Sequence, residues 1–206
     1  MAIEPVRIEL QEVSKRFVRQ WVLREVNGEW YSGNRYGIAG RNGSGKSTLM
    51  RLLAGLLSPT RGLIRRERSG KEVATGEWYR SVSWTGPYLE VAEELTVEEV
   101  LRFYFALKPL RPGLNVATIL ERIELTPARN RRLSACSSGM RQRVLLATAI
   151  YAATPLILLD EPSLTLDNSS TDWLNRELSN YTRDRLLIIA SNEADDLVDC
   201  DSVMTL

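Results

Sequence analysis

The residues best equipped for chemistry run from Gly40 to Thr48, Gly40-Arg41-Asn42-Gly43-Ser44-Gly45-Lys46-Ser47-Thr48, and satisfy the phosphate-loop pattern G-x-x-x-x-G-K-[ST] at every constrained position. A triphosphate is best held by backbone N–H groups, which converge on it only where missing side chains let the chain curl tightly. Gly40, Gly43 and Gly45 give that freedom, with Asn42 and Ser44 in the same cradle. Lys46 places a point charge on the β- and γ-phosphates, Ser47 offers its hydroxyl to Mg²⁺, Thr48 adds an α-phosphate contact, and the helix beyond turns its positive dipole end toward the anion. A second chemical group lies far along the chain, where Leu156-Ile157-Leu158-Leu159-Asp160-Glu161 is an apolar run ending in two carboxylates. Such a run fits a buried parallel strand that delivers charge to the carboxyl edge of a sheet, the edge where the phosphate loop also lies. Asp160 is then placed to hold Mg²⁺ beside Ser47, directly or through water, and Glu161 to polarise an attacking water.

The flanking segments read as elements that position these groups. Arg35–Ala39 is a short strand entering the loop, and Leu49, Leu52, Leu53, Leu56 and Leu57 recur at helical spacing after it until Pro59 and Gly62 close the region. Upstream, residues 6–13 alternate, and residues 22–26 and 29–31 read as two more short strands separated by an Asn27-Gly28 turn. An antiparallel β portion is therefore expected before the loop. Phe17 falls between its first two strands, where an aromatic face suits stacking on a purine; Trp21 is a rival for that task, and a core place in the β portion is the plainer reading. Downstream, residues 62–68 and 72–75 suggest a hairpin around Ser69-Gly70, and residues 80–84 a return to the sheet. Thr96 then caps a helix with Val97, Val100, Leu101, Tyr104 and Phe105 as its apolar stripe and Glu98 and Glu99 at its positive end. A Pro- and Gly-containing break at 108–113 and a second helix over 116–124 make residues 95–125 a helical insert between two sheet-forming halves.

Composition narrows the class. With 206 residues, 44% apolar and 26% charged, the chain suits one large domain with an ordinary globular core. The balance of 27 basic against 26 acidic residues gives no bulk signal for nucleic acid or acidic lipid. No apolar run approaches the roughly 20 residues that cross a bilayer, and the amino terminus lacks a basic region followed by an apolar one. Together with two isolated cysteines, Cys136 and Cys200, this reads as a cytosolic protein; the absence of histidine argues against a zinc site.

Between the two chemical groups lies Cys136-Ser137-Ser138-Gly139-Met140-Arg141-Gln142-Arg143, and after them Pro162 and Leu164-Thr165-Leu166-Asp167. In this order the set resembles the ATP-binding cassette (ABC) ATPases over almost the whole chain, with Cys136 to Met140 standing for their Leu-Ser-Gly-Gly-Gln signature. The resemblance implies an α/β fold: a P-loop core with a mainly parallel sheet, an N-terminal antiparallel β subdomain and a helical subdomain insert. The core would comprise about 1–94 and 126–206, and the insert about 95–125, extending toward 136–140. It further implies ATP and Mg²⁺ as cofactors and a head-to-tail dimer with a second ABC ATPase subunit. In that dimer Ser137 and Gly139 would serve the partner's γ-phosphate from a helix start. Residues 164–167 would couple the two sites, Phe17 would stack on adenine, and Met140, Val144, Ala147 and Tyr151 would form the buried side of the signature helix. The region around 96–105 would meet a separate transmembrane transporter subunit, which holds the protein on the inner face of the membrane. The chain's length is that of small exporter-type cassettes, including those of haem export in cytochrome c maturation.

Two positions depart from the family. Its usual glutamine after the 80–84 strand is replaced, with Pro87 or Gly86 at that place in Thr85-Gly86-Pro87-Tyr88-Leu89; Glu90 is a compensating carboxylate of the wrong spacing. Its usual histidine after the strand 186–190 is Asn192, which donates a hydrogen bond to a γ-phosphate oxygen but carries neither charge nor proton. Loss of one charge-assisted transition-state contact costs about 2.7–4 kcal/mol. The expectation is an ATPase subunit powering a transporter through nucleotide-driven dimer closure, with attenuated hydrolysis. In that reading Glu161, Lys46 and Asn192 are catalytic. The alternative is a nucleotide-gated clamp with little turnover. A cassette acting on DNA or ribosomes is disfavoured, since there is no heptad insertion, second cassette or basic excess.

Overall fold

Leu156–Asp160 and Leu186–Ser191 are apolar on both sides because the strands they form are covered on both faces. The computed structural model describes residues 3–87 and 91–206. In chain order its principal elements are β1 (Val6–Phe17), β2 (Gln20–Tyr31), β3 (Arg35–Ala39), α1 (Lys46–Leu53), β4 (Arg61–Arg68), β5 (Lys71–Glu72), α2 (Thr75–Trp78), β6 (Val82–Thr85), α3 (Val97–Leu107), α4 (Val116–Arg122), α5 (Ser138–Tyr151), β7 (Leu156–Asp160), α6 (Asn168–Tyr181), β8 (Leu186–Ser191) and β9 (Ser202–Thr205). β6, β7, β8, β3 and β9 form, in that spatial order, a sheet whose neighbouring strands are parallel. Its register pairs Asp160 with Ala190 and Ala39 with Ser191. The carboxyl ends of β3, β7 and β8 are thereby level on one edge, and each hands its next residues to the same cleft.

Alternate residues of the central strands feed two cores. Leu156, Leu158, Leu186 and Ile188 join Leu49, Leu52 and Leu53 of α1 and the inner face of an antiparallel sheet. Ile157, Leu159, Leu187 and Ile189 join α3, α4, α5 and α6 on the other side. Thr96 caps α3 with the reciprocal box expected of Thr and a third-position Glu: Glu99 N–H donates to the Thr96 hydroxyl, and the Glu99 carboxylate accepts from Thr96 N–H at 2.8 Å. Where α5 ends, Arg185 is fully buried and donates to the carbonyls of Ile150 and Thr154, each at 2.6 Å. It thus satisfies a helix C-terminus that favours a cation, while burial pulls its pKa down.

The structure extends two local expectations, for the antiparallel sheet and for α5, and corrects two, at Asn27-Gly28 and at the end of α1. The antiparallel sheet, in the order β2-β1-β4-β5, takes two strands from beyond the phosphate loop and is not confined to the amino-terminal segment. Asn27-Gly28 does not turn: β2 runs through it, opposite a register shift between Leu10 and Val13. There the Asn27 side chain accepts from Glu12 N–H at 2.8 Å, and a Cβ on Gly28 would lie 2.7 Å from the Trp30 ring, so the pair serves a bulge and an overlying indole. Helix α1 stops at Leu53, because Gly55 (φ 78°) takes the left-handed position that ends a helix, and Leu56 is left exposed. Finally, α5 is buried on more than one side: Leu146, Ala149 and Ile150 are as inaccessible as Val144, Ala147 and Tyr151, since the helix lies between the sheet and the other helices.

A candidate nucleotide site at the sheet edge

Three of the longer helices begin with a side chain that satisfies their own first-turn donors. Thr96 does so for α3, Ser137 for α5 and Asp167 for α6. Helix α1 differs. Its cap is Gly45 in the left-handed region (φ 110°), and among the described residues no side chain caps it. Its first-turn N–H groups are left for an outside acceptor, which is how a helix start receives an anion. Gly45 cannot carry a side chain, because a Cβ there would lie 2.8 Å from Leu23 and 3.1 Å from the Val22 carbonyl. β2 thus presses directly on the loop.

The loop opens into a cleft of about 440 Å³ lined by Val22, Asn42, Gly43, Gly45, Lys46, Ser47, Thr48, Pro87, Glu161, Leu164 and Asn192. Lys46 is 5% exposed; its ammonium donates to the Gly40 carbonyl at 2.8 Å and pairs with Glu161 Oε1 at 3.1 Å. Glu161 holds a left-handed backbone (φ 50°), which costs a non-glycine residue about 1–2 kcal/mol. The turn it makes is anchored by its own N–H, which extends the β7–β8 ladder to the Ala190 carbonyl at 2.8 Å. Its Oε2 accepts from the backbone N–H of Asn192 at 3.2 Å and from the Ser191 hydroxyl at 3.1 Å. The Asn192 amide, oriented by its surroundings with nitrogen toward the carboxylate, donates to the same oxygen at 2.6 Å.

Beneath this layer Asp160 is 1% exposed, and its Oδ1 has no hydrogen-bond partner among the described residues. Burial pushes its carboxyl pKa up, with the Ser47 hydroxyl opposing the rise. A buried carboxylate oxygen left without a donor next to a hydroxyl is a fitting pair of oxygen ligands for a divalent cation that draws its other ligands from phosphate and water. Among the described residues no three His, Cys, Asp or Glu side chains form a metal cluster of their own, so such an ion would depend on the nucleotide. Gly86 lies against this carboxylate: a Cβ there would be 2.9 Å from the Asp160 Cβ.

The structure thus gathers Asn42, Gly43, Gly45, Lys46, Ser47, Thr48, Glu161 and Asn192 around one cleft, with Asp160 facing Ser47. Ser44 lies within the loop with its hydroxyl buried and, among the described residues, unpartnered, 2.5 Å from where a Gly40 Cβ would be. Phe17 is the last residue of β1, not a loop residue, and is half exposed beyond the lining of this cleft, with the Lys15 ammonium 5.2 Å from its ring centre. Val22 is the β2 residue that reaches the cleft. Trp21 is covered by cations, Arg16 and Arg61 each lying 5.3 Å from its ring centre. Ser137 and Gly139 do not line the cleft; Ser137 is exposed and accepts from Met140 N–H at 3.2 Å at the start of α5. Pro87, which with Gly86 is a candidate for the glutamine position, does line it, and Glu90 lies outside the described residues. Sequence reasoning missed Asp196, which accepts from the Ser191 hydroxyl at 2.6 Å. The signal available was only an acidic residue shortly after a strand end, too common to single out.

The comparisons with known proteins agree with this geometry. The family model for the ABC transporter matches residues 23–164, a span that includes the phosphate loop, the 136–140 segment and the Asp160-Glu161 strand end. The uncharacterized ABC transporter ATP-binding protein YybJ of Bacillus subtilis is 27% identical over 203 residues, which are 97% of this chain and 92% of that protein. The cytochrome c biogenesis ATP-binding export protein CcmA of Paraburkholderia xenovorans is 33% identical over 172 residues, 75% of each. Among solved structures, the dimeric structure of a bacterial ABC transporter cassette shares the fold, with a TM-score of 0.83 at 20% identity over 97% of this chain and 94% of that one. An uncapped helix start, a buried lysine and a carboxylate-ending strand meeting at one sheet edge are what this family's ATPase fold is built to assemble, and the chain belongs to the ABC transporter family as an ATP-binding subunit.

Proposed function

We propose that this subunit binds MgATP in the cleft above α1 and hydrolyses it slowly, driving closure and reopening of a cassette dimer that works on a separate membrane-spanning subunit. The observation that carries the reading is the uncapped start of α1 facing Lys46, Asp160 and Glu161. Backbone N–H groups of residues 43–48 bind the phosphates, and the Lys46 ammonium leaves Glu161 to reach the β- and γ-oxygens. Ser47 and Asp160 would hold Mg²⁺, which would supply charge neutralisation at the phosphates. Glu161 Oε1, released by Lys46, orients a water for attack on the γ-phosphorus.

Attenuation is supported by what stands at the two altered positions. Asn192 meets Glu161 with a neutral amide, and Pro87 lines the cleft without a side-chain oxygen or donor. Ser137, exposed at the start of α5, is free to face a partner cassette's nucleotide, and no helix among the described residues is long and apolar enough to cross a membrane. Both features suit a peripheral subunit on the cytoplasmic face, paired with a second cassette and a separate membrane protein. The test is MgATP binding and turnover by the purified chain, alone and with its co-purifying membrane subunit. Slow turnover accelerated by the complex, with ATP-dependent dimerisation of Glu161→Gln, is the expected result. Turnover at solvent background in both settings would select a nucleotide-gated clamp instead, and turnover at ordinary family rates in the isolated chain would remove the attenuation.

A further inference from the structure

Glu161 is held at both oxygens, and the two holds differ in kind. Oε1 meets the Lys46 ammonium at 3.1 Å, a contact that nucleotide must break because Lys46 is needed on the phosphates, and more loosely the Asn192 amide at 3.2 Å. Oε2 meets the Ser191 hydroxyl at 3.1 Å and the Asn192 N–H at 3.2 Å, neither of which any phosphate displaces. The Ser191 side chain is fully buried at the last position of β8, and three groups fix its oxygen. Asp196 Oδ2 lies 2.6 Å away, the short separation of an O–H···O⁻ bond; the Glu193 N–H donates to it at 3.0 Å; and Glu161 completes the set. One hydroxyl proton is therefore shared between two carboxylates that approach from opposite elements, the turn after β7 and the short helical turn Asp195–Leu197 after β8.

We propose that Ser191 is a positioning residue for hydrolysis: its oxygen is fixed by the Glu193 N–H, and its one proton, for which Asp196 competes, steadies Glu161 Oε2 so that Oε1 turns toward the attacking water when Lys46 moves to the phosphates. The inference rests on the reading of Glu161 as the water-orienting carboxylate. It adds a brace that operates after the Lys46 contact is gone, at a strand end where the chain has no histidine to provide one. The left-handed backbone at Glu161 gives the brace its purpose, because a side chain leaving so sharp a turn has other directions open to it once its cationic partner departs.

The experiment is a steady-state and single-turnover comparison of the full chain with Ser191→Ala, Asp196→Ala, the double variant and Glu161→Gln, with MgATP affinity read separately by a fluorescent ATP analogue. Ser191→Ala should lower kcat about tenfold, the equivalent of one lost hydrogen bond, with KM and analogue affinity within about twofold of the parent. Asp196→Ala should leave the Ser191 proton to Glu161 alone and so hold or raise kcat, an effect absent on top of Ser191→Ala, since Asp196 acts through the hydroxyl. Unchanged kcat in Ser191→Ala while Glu161→Gln is inactive would overturn the brace and leave the role of Glu161 intact. Full turnover by Glu161→Gln would overturn both. A loss of kcat in Asp196→Ala that persists on top of Ser191→Ala, or losses that fall equally on kcat and analogue affinity, would also overturn it, because they describe independent packing defects.

Discussion

Lys46 Nζ and Glu161 Oε1 lie 3.1 Å apart across the cleft, so the cation meant for phosphate and the carboxylate meant for water neutralise each other when the cleft is open. The pair is largely buried, with side-chain exposures of 6% and 12%, and each charge would be costly there alone. Nucleotide entry must therefore exchange one ion pair for another.

The first prediction follows from that exchange. Glu161→Gln removes the competitor for Lys46 and the negative charge facing the phosphates, while keeping the shape and an acceptor oxygen. MgATP affinity is expected to rise several-fold, and turnover to fall by about 10²–10⁴, the range attached to a positioned general base. Equilibrium binding and phosphate release measured on the same preparation check both halves; a loss of affinity would show that the ion pair supports the loop rather than competing with nucleotide.

Asn192 supports a second prediction. Its amide donates to Glu161 Oε2 at 2.6 Å and it lines the cleft, so it touches both the carboxylate and the space a γ-phosphate would fill. Asn192→Ala should reduce turnover about tenfold, one neutral hydrogen bond, whereas Asn192→His should raise it above the parent by adding a charge-assisted donor. Initial rates of phosphate release for the three proteins decide this; a histidine variant no faster than the parent would locate the slow step elsewhere, with Pro87 the next position to change.

Much of this site was legible because its parts are local: the loop spacing and the apolar run ending at Asp160-Glu161 are each contiguous in sequence. What was illegible depends on backbone conformation and strand register that the local pattern does not carry. Asn27-Gly28 has the composition of a hairpin turn, and only the register of β1 against β2 and the Trp30 ring over Gly28 make it strand. Leu56 continues the helical spacing of α1, yet the left-handed Gly55 ends the helix before it. Asp196 joins the site only because β8 brings Ser191 level with the turn after β7. Phe17 reads as a loop residue from its neighbours, and only the pairing with Gln20 at a hairpin end makes it the last residue of a strand.

Gly86 gives a third prediction. A Cβ at this position would come within 2.9 Å of the Asp160 Cβ, tighter than any backbone-anchored pair tolerates, so Gly86→Ala must displace the carboxylate that faces Ser47. Binding of ATP without divalent cation should be little changed, while the Mg²⁺ concentration for half-maximal turnover rises by about an order of magnitude, the loss typical of a disturbed ligand orientation. Magnesium titration at saturating ATP is the measurement. An unchanged magnesium requirement would mean that Asp160 is not a cation ligand.

A fourth concerns the far end of α5. Arg185 satisfies the carbonyls of Ala149, Ile150 and Thr154, the last two at 2.6 Å, and also donates to the Thr154 hydroxyl at 2.9 Å. Lysine has the charge but lacks the planar fork, so it cannot reach these acceptors together. Arg185→Lys is expected to destabilise the fold by about 1–3 kcal/mol, the cost of leaving buried acceptors unpaired, with no change in KM for MgATP. Urea unfolding midpoints alongside steady-state kinetics separate the two effects, and a parallel change in KM would contradict a purely structural role.

The fifth prediction is a pH dependence of stability centred on Lys108. Its ammonium is drawn in at the end of α3, where it donates to the carbonyls of Tyr79, at 3.2 Å, and Val82, and burial lowers its pKa from 10.5 to about 8. Burial disfavours the charged form, so between pH 8 and 10.5 the folded chain holds fewer protons at this site than the unfolded chain does. Stability from this group accordingly rises with pH across that window, the charged amine being penalised in full below pH 8 and the penalty absent above 10.5. Because the side chain is partly accessible, the change is on the order of 1 kcal/mol rather than the several that the pKa shift alone implies. Lys108→Met removes the titration, so the difference in unfolding free energy between parent and variant should move in the parent's favour from pH 7.5 to 10. Tyrosine and the other lysines titrate in both proteins and cancel in that difference. A flat difference would show that the two carbonyls compensate the ammonium fully; one that moved against the parent would show that they stabilise it.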